Sequence, residues 1–244
     1  MKTQIVFLAV ILLAGASVGV AEPSAQFAKA NQEYANGEFK AAIANYEELV
    51  RGDQDTPNLF YNLGNAYFRQ KDFGRAILNY ERALALEPHH PEAQANLRIA
   101  RDEARALEQV PARWEQWAAF ANPNQYAIAT AIAFWMGMFA IASFIFHRRR
   151  WTMALLTLSI LVLAVSIAAI WQLNQGRGGR ALAIVIKDNV DARLATADTA
   201  NRVLTLPAGS EIRILSRRGD WIYAALPNNL RGWLPATSAE QVRM

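Results

Sequence analysis

The side chains able to do chemistry in this 244-residue chain fall into a few small groups. The first is Asn31, Tyr34, Tyr61, Asn62, Asn65 and Arg69, in which Asn31 and Asn65 stand 34 residues apart. Carboxamides donate and accept together, so they can hold the backbone of an extended ligand, and a guanidinium meets a carboxylate through two parallel N–H bonds. The second is Trp221, Tyr223 and Trp233, which can form an aromatic groove for a peptide or glycan or else pack a small core. His89-His90 has no carboxylate cluster beside it and reads as loop rather than metal centre. Gly15-Ala16-Ser17-Val18-Gly19 has the spacing of a nucleophile elbow, but that elbow needs a preceding strand, a following helix and a His partner, and an apolar leader supplies none of them. Cysteine is absent, so disulfides and thiolate chemistry are excluded, and no glycine-rich phosphate loop occurs. These residues point to recognition rather than to a reaction, with no catalytic group, metal or cofactor. The net charge of +4 comes from scattered basic residues without interleaved aromatics, which argues against a nucleic-acid partner.

The amide and phenol groups belong to an internal repeat. Ala42-Ile43-Ala44-Asn45-Tyr46-Glu47 aligns with Ala76-Ile77-Leu78-Asn79-Tyr80-Glu81, and Ala30, Asn31 and Phe39 align with Gly64, Asn65 and Phe73, all at one offset without a gap. A period of 34 marks the tetratricopeptide repeat, a helix–turn–helix unit. Leu63-Gly64, Tyr67, Phe73, Ala76, Tyr80, Ala83 and Pro88 follow its pattern in the second copy. The repeats are expected over 22–56 and 57–90, and Pro91 opens a further helix, expected over 91–110, that caps the array. In such an array the first helix of each pair lines the concave face, so Asn31, Tyr34, Tyr61, Asn62, Asn65 and Arg69 are the candidate partner-binding groove. This set resembles part of the carboxylate clamp by which some such arrays hold a peptide C-terminus. Two repeats and a cap are few for an array standing alone, so added support from a partner, self-association or the membrane is expected.

The composition is 53% hydrophobic and 19% charged, and the excess is concentrated at 5–21, 126–146 and 152–171. The first run follows Lys2 and ends in small residues at Gly19 and Ala21, as a secretory signal peptide over 1–21 does. Segments 126–146 and 152–173 are each long enough to cross a hydrocarbon core of about 30 Å, with only 147–151 between them. His147-Arg148-Arg149-Arg150 places that connector in the cytoplasm by the positive-inside rule, so both flanks face outward. Trp114, Trp117, Tyr126 and Trp171 suit the outer interface and Trp151 the inner one. Ala129, Ala133 and Gly137 form a small-residue stripe that can pack on the second helix or on another membrane protein.

After a linker at 174–180, residues 181–244 carry apolar runs at 181–186, 202–206, 211–215, 221–226 and 232–235 separated by turn signals. Five short strands in so few residues make a small barrel. Val190-Asp191-Ala192-Arg193, Leu206-Pro207-Ala208-Gly209, Gly219-Asp220-Trp221 and Arg231-Gly232-Trp233-Leu234 resemble a bacterial SH3 domain. The expected class is therefore mixed multidomain: an α-helical tetratricopeptide array, a two-helix transmembrane hairpin and a small all-β SH3-like barrel.

The order of signal peptide, repeats with Tyr61-Asn62-Leu63-Gly64-Asn65-Ala66-Tyr67-Phe68, two membrane helices around an Arg-rich turn and an SH3-like domain is similar to BatE-type proteins of the bacterial aerotolerance operon. The resemblance implies membrane-protein partners with von Willebrand factor A domains, a MoxR-type AAA ATPase among the neighbours, and a stress-related envelope complex. Function is expected to be that of an inner-membrane scaffold with both folded parts in the periplasm, binding proteins or peptides and lipid. The alternative is a sensor that grips peptidoglycan or peptide through the SH3-like domain.

Overall fold

The structure is a computed structural model, and it describes residues 25–109, 123–147, 150–175 and 181–243. The expected signal peptide, Trp114 and Trp117, Arg148 and Arg149 of the connector and most of the linker lie outside the described residues. Among the described residues five helices come first: α1 Ala25–Ala35, α2 Phe39–Arg51, α3 Pro57–Arg69, α4 Phe73–Leu86 and α5 Pro91–Ala104. They pair as α1 with α2 and α3 with α4, and α5 lies on α4. The starts of α3, α4 and α5 are set by capping. Thr56 Oγ1 accepts from Leu59 N at 3.2 Å, Asp72 Oδ1 from Arg75 N at 3.1 Å and His90 Nδ1 from Ala93 N at 3.4 Å, with Pro57 and Pro91 following their caps. His90 is thus a buried helix cap rather than an ordinary loop residue.

Each first helix ends in the same way. Gly37, Lys71 and Arg105 have φ of 84°, 63° and 51°, one repeat period apart. Around each, the same two backbone bonds close the helix: Gly37 N to Tyr34 O and Glu38 N to Glu33 O, then Lys71 to Phe68 and Asp72 to Tyr67, then Arg105 to Asp102 and Ala106 to Arg101. The expected cap is therefore the first helix of a third repeat, complete through its turn. It stops at Ala104 rather than running to 110 because the turn comes next. A second helix, starting where α2 and α4 start, would begin at Leu107. Residues 106–109 instead run without helix along the C-terminal sheet.

The repeats are packed through tyrosine. Tyr46 and Tyr80 are fully buried at equivalent positions, and a Cβ on Gly64 would stand 2.8 Å from the Tyr80 ring, so only glycine fits there. Among the described residues two helices follow, α6 Pro123–His147 and α7 Arg150–Gln175, each long and apolar enough to cross a membrane. They pack on each other along Ala133, Gly137 and Ala140 of one and Thr152, Ser159 and Ser166 of the other. The heptad spacing of the second set keeps one seam toward α6. Ser159 Oγ donates to Ala133 O at 2.6 Å and would lie only 2.6 Å from a Cβ on Gly137.

Seven strands close the chain: β1 Leu182–Val185, β2 Val190–Arg193, β3 Arg202–Leu206, β4 Glu211–Arg218, β5 Trp221–Ala225, β6 Arg231–Pro235 and β7 Ala239–Gln241. They form an antiparallel sheet of order β3-β2-β6-β5-β4-β1-β7. β2 and β7 add to the five strands read from the sequence. Both are short, three or four residues, and without a long apolar run. The sheet packs on α4.

Candidate functional site: the groove of first helices

α1, α3 and α5 bring one polar ladder together. Asn31 Oδ1 accepts from Tyr46 Oη at 2.6 Å and from Asn62 Nδ2 at 3.0 Å. One period later Asn65 Oδ1 accepts from Tyr80 Oη at 2.8 Å and from Asn96 Nδ2 at 2.8 Å. Asn96 also reaches Tyr61 Oη at 3.4 Å, and the Tyr61 ring lies 5.0 Å from that of His90. The asparagine oxygens are therefore committed inside the array. They set the register between successive first helices, so of the carboxamide it is the N–H side that remains for a ligand.

The groove itself is a cavity of about 120 Å³ lined by Tyr34, Asn65, Phe68, Arg69, Tyr80, Asn96 and Ile99. Arg69 is exposed at its rim, with its guanidinium 4.8 Å from the centre of the Phe39 ring. Ile99 is 51% exposed. The site thus combines an apolar wall, amide donors and one cation, which suits a peptide carrying an apolar side chain beside an acid. Of the residues expected from the sequence, Tyr34, Asn65 and Arg69 line this cavity, while Asn31 and Asn62 form the next rung of the ladder and Tyr61 sits beside His90. Asn96 and Ile99 were not anticipated. Asn96 is legible as Asn62 plus one period, a signal obscured when α5 is taken as a cap rather than a repeat.

Burial drives the tyrosine hydroxyls of this ladder away from ionisation. Desolvation, helped by Tyr34, pushes Tyr46 up to about 12, and desolvation likewise raises Tyr80 and, with Glu47 as acceptor, Tyr67. A raised folded value means that the tyrosines' contribution to stability is complete below the unfolded value of 10.0 and is lost as pH climbs above it, for Tyr46 toward about 12. Denaturant titrations of the whole chain in detergent should show a midpoint independent of these groups up to pH 10.0 and falling above it. A midpoint flat through that window would contradict the buried ladder.

The second aromatic set lies on the sheet. Tyr223 of β5 faces Trp233 of β6 in register, with ring centres 5.0 Å apart, and Trp221 faces Pro235 on the same side. All three aromatics are half-buried, whereas Ile222, Ala224 and Leu234 on the opposite side are fully buried and make the sheet's core. Alternation along β5 and β6 thus assigns the aromatics to the outer face. Among the described residues no group of three or more His, Asp or Glu side chains is placed to hold a metal.

Stacked helix hairpins whose first helices line an open groove define a helical-repeat scaffold, a class built for binding other proteins. Residues 30–71 match a family model described as TPR repeat, and residues 57–90 match one described as tetratricopeptide repeat. The array is therefore one of tetratricopeptide repeats. Among curated proteins, none matches the chain.

Proposed function

We propose that the chain is a membrane-anchored adaptor, held by the α6–α7 hairpin with its folded parts on the periplasmic side of a bacterial inner membrane, and carrying no reaction of its own. The observation that supports it is the groove: its polar atoms are ordered by the ladder, yet its Ile99 and Arg69 stand exposed. The partner is a protein presenting an apolar residue next to an acid. Membrane proteins with von Willebrand factor A domains are the partners implied by the likeness of the element order to BatE-type proteins, and a stress-related envelope complex is the setting. The sheet reads as an SH3-like domain whose Trp221, Tyr223 and Trp233 face offers a second surface for peptide or peptidoglycan. That outward aromatic face also favours, as a second reading, an envelope sensor acting through the sheet. In the first reading Ala129, Ala133 and Gly137 serve to hold the hairpin closed.

The ladder decides how the groove is tested. Asn65→Ala removes the acceptor of Tyr80 and Asn96 and so perturbs folding as well as binding. Arg69→Ala leaves the ladder intact. A photo-crosslinker placed at Ile99 in intact cells should join the chain to its partner. Arg69→Ala should lower that yield on the order of tenfold, the loss typical of truncating one charged anchor. Capture that is equal with and without Arg69 would remove the groove from the account, and crosslinks arising only from position 233 would favour the sensor.

A further inference from the structure

The second-helix face of the array is covered by the chain's own C-terminal sheet, and the two share a core. β1 is buried on both sides: Leu182 and Ile184 join the array's cluster with Ile77 and Tyr80, whereas Ala183 and Val185 join the sheet's cluster with Ile222 and Leu234. Backbones meet closely. A Cβ on Gly74 of α4 would lie 3.0 Å from the Ile186 carbonyl oxygen, and Gly209 abuts the Ile77 side chain. Buried charge spans the seam as well. Arg101 of α5 pairs with both Glu81 of α4 and Glu211 of β4, and Arg82 of α4 donates through Nη2 to Gln241 O at 3.1 Å. Residues 106–109 are laced to the sheet: Glu211 N donates to Leu107 O at 2.9 Å, Leu107 N to Ser210 Oγ at 3.1 Å and Gln109 Nε2 to Ala225 O at 2.6 Å. Leu107 occupies the position of Phe39 and Phe73 one period on, and packs into the sheet's core.

We infer that residues 25–109 and 181–243 are one folded body into which the apolar hairpin is inserted, rather than two domains tethered by it. The sheet supplies the support that a third second helix would otherwise give the array. A body with one shared core cannot straddle a bilayer. Residues 109 and 181 therefore lie on the same side, and the chain between them crosses an even number of times. This last step rests on α6 and α7 being membrane helices; the single body does not. The topology so reached is independent of the charge of the connector. For an adaptor it means that the groove and the aromatic face are presented at a spacing set by packing, not by the length of the linker.

Two cysteines test this in the full chain, which has none of its own. A Cβ on Gly74 would lie 3.2 Å from that of Ala208, near the roughly 3.8 Å of a disulfide. A protease site is placed within residues 176–180. After cleavage in detergent, the two fragments of the otherwise unaltered chain should co-elute at the size of the intact protein. Gly74→Cys with Ala208→Cys should, after mild oxidation, hold them together through denaturation until reduction. Gly74→Trp should let the C-terminal fragment leave. Separation of the fragments in the unaltered sequence overturns the inference, and so does a disulfide found only between two different chains. None of these variants alters Arg69 or Ile99, so failure here and failure of the groove are told apart.

Discussion

Tyr80→Ala is expected to unfold the array under conditions in which the native chain is stable. The ring is 1% exposed, sits against Gly64 at a distance that leaves no room for a Cβ, and carries the hydroxyl that bonds Asn65. Truncating a buried aromatic of this size costs about 3–5 kcal/mol, a large share of the roughly 5–15 kcal/mol that holds a typical domain. Loss of the ring also frees Gly64 and α3 from their contact, and Asn65 loses one of its two donors. The Tm of the full chain, followed by circular dichroism in detergent, should fall on the order of 10 °C. Tyr80→Phe separates the two contributions. It keeps the ring and removes only the hydroxyl, so its cost should be about 1 kcal/mol. Equal losses for the two variants would mean that the hydrogen bond, not the packing, holds the repeat, contrary to the structure.

Arg101→Ala should be nearly as damaging, for an electrostatic reason. Glu211 is 0% exposed; it accepts from Gln109 N at 3.2 Å and pairs with Arg101, a guanidinium shared with Glu81 and, at 3.4 Å, with Glu108. Removing one partner of a buried ion pair costs about 3–5 kcal/mol because the other charge stays desolvated. The unfolding midpoint in urea should drop accordingly, and the cleaved C-terminal fragment should bind the array less tightly. Asp102→Ala, an exposed neighbour on the same helix, should change stability by less than about 0.5 kcal/mol. Arg101→Met combined with Glu211→Gln should recover part of the loss, since a buried neutral amide costs less than a buried carboxylate that has lost its cation. If the double variant is as unstable as Arg101→Ala, packing rather than buried charge explains the seam.

The groove was partly legible in the amino-acid order. Asn31, Asn65 and Arg69 follow from the period and from the rule that first helices line the concave face. What was not legible is that the asparagine oxygens are spent on Tyr46, Asn62, Tyr80 and Asn96, because hydrogen bonds between helices depend on how the hairpins stack. α5 shows the same limit. Its Asn96, its proline start and its left-handed Arg105 all fall one period after their counterparts, yet the amino-acid order after it does not repeat the pattern of α2 and α4, so the segment reads as a cap.

Local chemistry along the chain determined the repeats, their turns and the two long apolar helices, because periodicity, capping and hydropathy act over a few residues. The run Leu182-Ala183-Ile184-Val185 was readable as a strand for the same reason. That both of its faces are buried, one in the array and one in the sheet, was decided only by tertiary packing. Arg101 and Glu211 lie 110 positions apart, and nothing short of the folded core brings such residues together. Hydrophobic burial is indifferent to distance along the chain, and that is why the sheet, not a third hairpin, completes the array.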